Sequence, residues 1–217
     1  MHRRSRILLL GLATVVVLAF ALVLILDRPA TRSGSSAATA VDARASSGFD
    51  GALLPGAVST PDFTLTDQRG QRVSLSQYRG QVTILTFLST TCSPACPLIA
   101  QQIRGALDEL GTHPPHTVPV LIVSANPAAD TPERVRRFLG EAVLTGRVEY
   151  LTGTLGELQP VWRAYGIVPS LLGNAASPHA ASVLLIDRSG QKRVLFEVEE
   201  LTPEGLAHDL RKLEGSR

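Results

Sequence analysis

The chain has 217 residues, with 21 basic and 19 acidic side chains, a net charge of +2 and two cysteines, a length that fits one domain of ordinary size plus appendages. Six arginines against three aspartates before residue 55 leave +3 on the N-terminal arm, so the remainder, with 15 basic and 16 acidic residues, is nearly neutral. A nearly neutral domain carries no electrostatic footprint for nucleic acid, and no such partner is expected.

Residues 1–6 carry Arg3, Arg4 and Arg6, and Ile7 to Leu26 is an unbroken run of twenty uncharged, mostly apolar residues. About 20 such residues cross a bilayer core, and the preceding arginines keep the N-terminus on the cytoplasmic side. The expectation is a single-pass transmembrane anchor over 7–26 in the inner (plasma) membrane, with the rest on the extracytoplasmic, periplasmic side. A long cleaved signal is the alternative, although its best small-residue site, Ala38-Thr39-Ala40, lies far past the apolar run. Either way the cysteines face an oxidising compartment. Residues 27–60, rich in Ser, Ala, Thr and Gly without apolar periodicity, read as a flexible linker.

The domain is expected over 61–217. Asp62 to Thr66 alternates as a strand, residues 67–70 read as a turn, and Gln71 to Leu75 completes a hairpin. Val82 to Leu88 is apolar or β-branched throughout, as a buried central strand should be. A helix is expected from Pro97 to Leu110, with Pro97 at its first position, a stripe of Ile99, Ile103 and Leu107, and Gly111 at its end. Val118 to Val123 reads as a second buried strand, and Asp130 to Glu133 as a capping-box-like helix start. A short strand at 148–151, a helix ending at Gly166, a hairpin over 182–198 and a final helix after Thr202 complete the order. Alternating units imply a parallel sheet covered on both faces, with an antiparallel hairpin at its end.

Cys92 and Cys96 fall at the turn between the first central strand and the first helix, where open α/β sheets place ligands. Two thiols at this spacing can close a short disulfide, exchange disulfides with a partner or bind a soft metal. A thiol at a helix N-terminus meets unpaired N–H groups and the positive end of the dipole, which lowers its pKa. A purely stabilising bridge is disfavoured, because so short a loop removes little unfolded-chain entropy. Of the five histidines, His2 lies in the tail, His113 and His116 in a Pro-Pro loop, and His208 on a helix surface. His179 differs, since it follows a Gly/Asn/Ser loop just before the strand at 182. Two thiolates and one imidazole suit copper, especially Cu(I), whereas a closed zinc site wants four protein ligands.

From about Pro61 to Leu213 the chain resembles the Sco/SenC copper proteins of the thioredoxin-like superfamily. Cys92-Ser93-Pro94-Ala95-Cys96-Pro97 matches the family's Cys-x-x-x-Cys-Pro, and residues 124–133 resemble its Ser-x-Asp-Pro-x-x-Asp-Thr-Pro-Glu. Leu151-Thr152-Gly153, Tyr165-Gly166 and His179 ahead of an apolar strand complete the likeness. The resemblance implies an α/β thioredoxin-like fold with an N-terminal β-hairpin extension, preceded by the single transmembrane helix. It implies copper, Cu(I) or Cu(II), held by Cys92, Cys96 and His179. The partner it implies is the copper-bearing subunit of cytochrome c oxidase or another cuproprotein, which receives copper or reducing equivalents. The chain departs from the family pattern at Ser93, where Pro is usual, and at Asn126 and Pro178, where Asp is usual. Pro178 resembles the cis-proline of thioredoxin-like oxidoreductases, so a thiol-disulfide oxidoreductase with Cys92 attacking and Cys96 resolving is the competing reading. An inert adaptor with a structural disulfide is the third.

Overall fold

The computed structural model describes residues 47–111, 118–167 and 182–215, with residues 56–58 described by their backbone alone. The anchor expected over 7–26, the arm to residue 46, the loop with His113 and His116, and the segment with Pro178 and His179 lie outside the described residues. Among the described residues no helix is long and apolar enough to cross a membrane.

The continuous apolar run does form the central strand, β4 (Thr83–Leu88), and every one of its residues is buried. Side chains alternate between faces along a strand. Ile84 and Leu88 therefore join a core on one side, and Leu85 and Phe87 a core on the other. Parallel to β4 run β5 (Val120–Ser124) and then β6 (Glu149–Leu151). On its other side β7 (Ser182–Ile186), β8 (Gln191–Glu197) and β1 (Ala52–Ser59) follow in antiparallel order, giving a six-stranded sheet β1-β8-β7-β4-β5-β6. The separate hairpin β2 (Thr64–Thr66) and β3 (Arg72–Ser74) is the expected N-terminal extension.

Helices α1 (Ala95–Glu109), α2 (Pro132–Glu141) and α4 (Pro203–Gly215) contribute to the first core, through Ile99 and Ile103, Val135 and Leu139, and Leu206 and Leu210. Leu158 and Trp162 of α3 (Leu155–Tyr165) and Leu65 and Val73 of the hairpin contribute to the second. Thr154 and Glu157 form a reciprocal capping box at the start of α3, and Gly166 closes it at φ 69°, a left-handed conformation that glycine adopts without a Cβ clash.

Three expectations need correction. The stretch read as linker to residue 60 ends in strand β1, which pairs with the edge strand β8. Ala52 and Leu53 sit opposite Leu195 and Val194, but Val58 and Ser59 sit opposite Lys192 and Gln191, so the residues between, including Pro55 and Gly56, bulge out of register. A proline without an N–H and a glycine hide the strand pattern, and an edge bulge accommodates both. Helix α1 begins at Ala95 rather than Pro97, so Pro97 is its third residue, still among the first four positions whose N–H groups lack a helical partner. The cap of α2 is Thr131, whose hydroxyl accepts the N–H of Arg134 at 3.4 Å. Asp130 is turned to a different task.

Candidate metal and redox site

Strand β4 delivers the chain to a loop, residues 89–94, that leads into α1. Cys92 lies in the loop and Cys96 is the second residue of the helix. Their Cα atoms are 5.5 Å apart and their sulfurs are joined as a disulfide. Cys96 is only 2% exposed because it lies on the same face of α1 as Ile99 and Ile103, whereas Cys92 is half-buried. The accessible sulfur is therefore that of Cys92, as the sequence order implies. The Ser93–Pro94 peptide between them is cis.

Beneath this loop sits Asp130, 5% exposed, whose carboxylate gathers five donors. One oxygen accepts the Thr90 N–H at 2.8 Å, the Thr90 hydroxyl at 2.8 Å and the Ser89 hydroxyl at 3.2 Å. The other accepts the Ser124 hydroxyl at 2.5 Å and has the Tyr150 hydroxyl at 2.9 Å. A buried carboxylate is costly unless its lone pairs are filled, and here they are. The bonds tie the start of the cysteine loop to the ends of β5 and β6. Burial, with the Asp130 charge adding to it, pushes the Tyr150 phenol well above its ordinary pKa, so the hydroxyl keeps its proton as a donor. The Trp162 indole N–H donates to the Ser124 carbonyl at 3.0 Å, fixing the same strand end from the opposite face. Sequence reasoning missed Asp130 and Tyr150 as supports of the loop. Their partners are dispersed over 62 residues, and the acid before Thr-Pro-Glu reads locally as a helix cap.

The candidate third ligand, His179, lies outside the described residues, but the strand it precedes does not. Thr86 of β4 pairs with Val183 and Thr83 with Ile186, so β7 starts at the end of the sheet where β4 finishes. The Thr86 hydroxyl donates to the Ser182 carbonyl at 2.8 Å. Ser182, the first residue of β7, therefore lies at the same end of the sheet as the cysteine loop. Two sulfurs already in bonding contact form, once reduced, a pair able to face one soft ion, which fits copper chemistry.

Among the described residues, one other group could meet a metal: Asp50, His208 and Asp209. Both Asp209 oxygens already accept backbone N–H groups, from Asp50 and Gly51 at 2.9 Å each. The cluster therefore works as a clasp between the segment leading into β1 and α4. His208, which the sequence places on a surface, has its side chain 53% exposed.

The model of the SCO1/SenC family matches residues 53–214. A Stutzerimonas stutzeri protein named as copper-binding is 29% identical over 147 residues, covering 65% of this chain and 70% of that protein. A Mycobacterium tuberculosis protein named as a peroxiredoxin is 31% identical over 139 residues, covering 64% of this chain and 82% of that one. The solved structure of ScoI from Bradyrhizobium japonicum with copper bound superposes with a TM-score of 0.60 at 29% identity, over 72% of this chain and 99% of that one. The likeness bears out the thioredoxin-like fold.

Proposed function

The chain belongs to the SCO1/SenC family, and from that premise we propose that it binds copper through Cys92, Cys96 and His179. In this reading it delivers copper, or reducing equivalents, to the binuclear copper site of cytochrome c oxidase. The observation that carries the proposal is the pairing of Cys92 and Cys96 at the sheet end from which β7 starts, three residues after His179. The copper named for the Stutzerimonas relative and bound in the Bradyrhizobium structure supports it. Residues 7–26 would anchor the chain in the plasma membrane and hold the domain on the extracytoplasmic side, within reach of a membrane-bound partner.

The reduced pair supplies two soft thiolates and His179 an imidazole, a donor set suited to Cu(I). Asp130 holds the loop so that Cys92 stays above the buried Cys96. Closing the Cys92–Cys96 bond removes both sulfur ligands, so metal retention follows the redox state of the pair. Ligand exchange begins at Cys92, the sulfur that a partner can reach.

A second reading, thiol-disulfide exchange on exported proteins, is favoured by the half-buried Cys92 over a buried Cys96 and by the peroxiredoxin-named relative. The Cys92 thiolate would attack a target disulfide. Cys96 would then displace the target from Cys92, leaving a reduced target and the Cys92–Cys96 bond.

The test is to reduce the full chain in detergent, offer Cu(I), dialyse against a moderate chelator and count retained metal. The expected result is one copper per chain, lost in Cys92→Ala or Cys96→Ala and sharply weakened in His179→Ala. Reductase turnover that persists in His179→Ala, with no copper held by the wild type, would transfer the assignment to the second reading.

A further inference from the structure

Beside the disulfide lies a cleft of about 350 Å³ between the cysteine loop and α2, lined by Thr91, Cys92, Ser93, Arg134, Arg137 and Glu141 among others. That volume suits a small molecule rather than a folded element of a partner. Arg134 and Arg137 are three residues apart on α2, which puts them on one face of the helix. Neither is neutralised: the Arg134 guanidinium reaches the Ala129 carbonyl at 3.5 Å, and among the described residues neither arginine has a carboxylate within 4 Å. Arg136, on another side of the helix, pairs with Glu133 at 3.2 Å. Two guanidiniums against the single carboxylate of Glu141 leave the cleft positive, directly beside the more accessible sulfur of the pair.

We propose that this cleft is a recognition subsite for the carboxylate of a small thiol, of dipeptide to tripeptide size, that reduces the Cys92–Cys96 disulfide. The inference rests on the reading above, in which the pair cycles between dithiol and disulfide. The carboxylate pairs with Arg134 and Arg137, whose planar donor forks match it, and this holds the thiolate over Cys92. The thiolate sulfur bonds to the Cys92 sulfur, the Cys92–Cys96 bond breaks, and its electron pair goes to the Cys96 sulfur, which takes up a proton. A second thiolate then attacks the carrier's sulfur in the mixed disulfide and releases Cys92. Two thiols become one carrier disulfide, and the protein gains two electrons and two protons.

The test uses the oxidised full chain and measures rate constants for disulfide reduction by mercaptosuccinate and by neutral 2-mercaptoethanol, each per thiolate and corrected for nucleophilicity. Wild type is compared with the double variant Arg134→Gln/Arg137→Gln and with Arg136→Gln. The expected mercaptosuccinate-to-mercaptoethanol ratio is about fivefold higher in wild type than in the double variant, with the gap closing at 1 M salt. The mercaptoethanol rate and the Arg136→Gln ratio should match wild type. An equal ratio in wild type and the double variant, or an equal fall in Arg136→Gln, would overturn the subsite. A disulfide that mercaptoethanol itself fails to reduce without unfolding the chain would instead remove the redox-cycling reading on which the subsite rests.

Discussion

Asp130 and Asp209 are both buried carboxylates, 5% and 0% exposed, and both collect donors from distant parts of the chain. Asp209 takes the N–H groups of Asp50 and Gly51, 159 and 158 residues away, and so fastens the entry to the edge strand β1 onto α4. Asp130 takes one N–H and four hydroxyls, and so fastens the loop that carries Cys92. The physical device is the same: filled lone pairs offset the cost of burying charge. What differs is the thing held. One carboxylate secures an edge of the sheet and the other secures the loop that carries Cys92, so damage to the two should separate in a functional assay.

The largest effect is expected from Asp130→Ala. It leaves the Thr90 N–H and the buried Ser124 hydroxyl without their acceptor, while the Tyr150 hydroxyl can still donate to the Leu88 carbonyl at 3.2 Å, and should cost about 3 kcal/mol in urea unfolding. Copper retention against a chelator should fall with it. Retention at the wild-type level in a folded Asp130→Ala chain would break the contrast. Next comes Asp209→Asn, which keeps one oxygen for one of the two backbone N–H groups but turns an NH2 donor toward the other, and should cost about 1–3 kcal/mol by the same measurement. Copper stoichiometry should not change.

Asp67 extends the comparison to the β2–β3 turn, where its oxygens accept the N–H groups of Arg69 and Gln71 at 2.9 and 2.7 Å and the Arg69 Nε at 2.8 Å. Burial by itself would raise its pKa, but the Gln71 N–H and the Arg69 guanidinium outweigh it and hold the carboxyl below its ordinary value. A carboxylate shifted down in the folded state adds stability above its unfolded pKa, near 4, and loses it as pH falls through the lowered folded value. The stability gap between wild type and Asp67→Asn should therefore be constant from pH 7 to about pH 5 and narrow below about pH 4. A gap that grows in acid would refute the assignment. The smallest effect belongs to Arg136→Gln, which removes an exposed ion pair to Glu133 and should leave the unfolding midpoint unchanged.

The central strand was legible because residues 83–88 are uniformly apolar or β-branched, a pattern that demands burial on both faces. The cysteine turn was legible because a strand pattern and a helix pattern meet around it. Strand β1 was not, since Pro55 and Gly56 interrupt it and its partners on β8 lie 132 to 143 residues away in sequence, from Ser59 opposite Gln191 to Ala52 opposite Leu195. Asp130 was misread for a related reason. A local cap motif competes with a tertiary role, and nothing adjacent in sequence announces that Ser89, Ser124 and Tyr150 converge on it. Local rules identify what a segment can be, and long-range partners decide which option is taken. His179 came from a motif likeness and its place before β7, and that strand does start at the cysteine end of the sheet.

The most direct test of the central claim is X-ray absorption at the copper edge on the reduced full chain loaded with one Cu(I). The account predicts two sulfur scatterers and one imidazole nitrogen in wild type, with the nitrogen lost in His179→Ala. A sulfur-only shell in wild type, or an imidazole signal that survives His179→Ala, would contradict it.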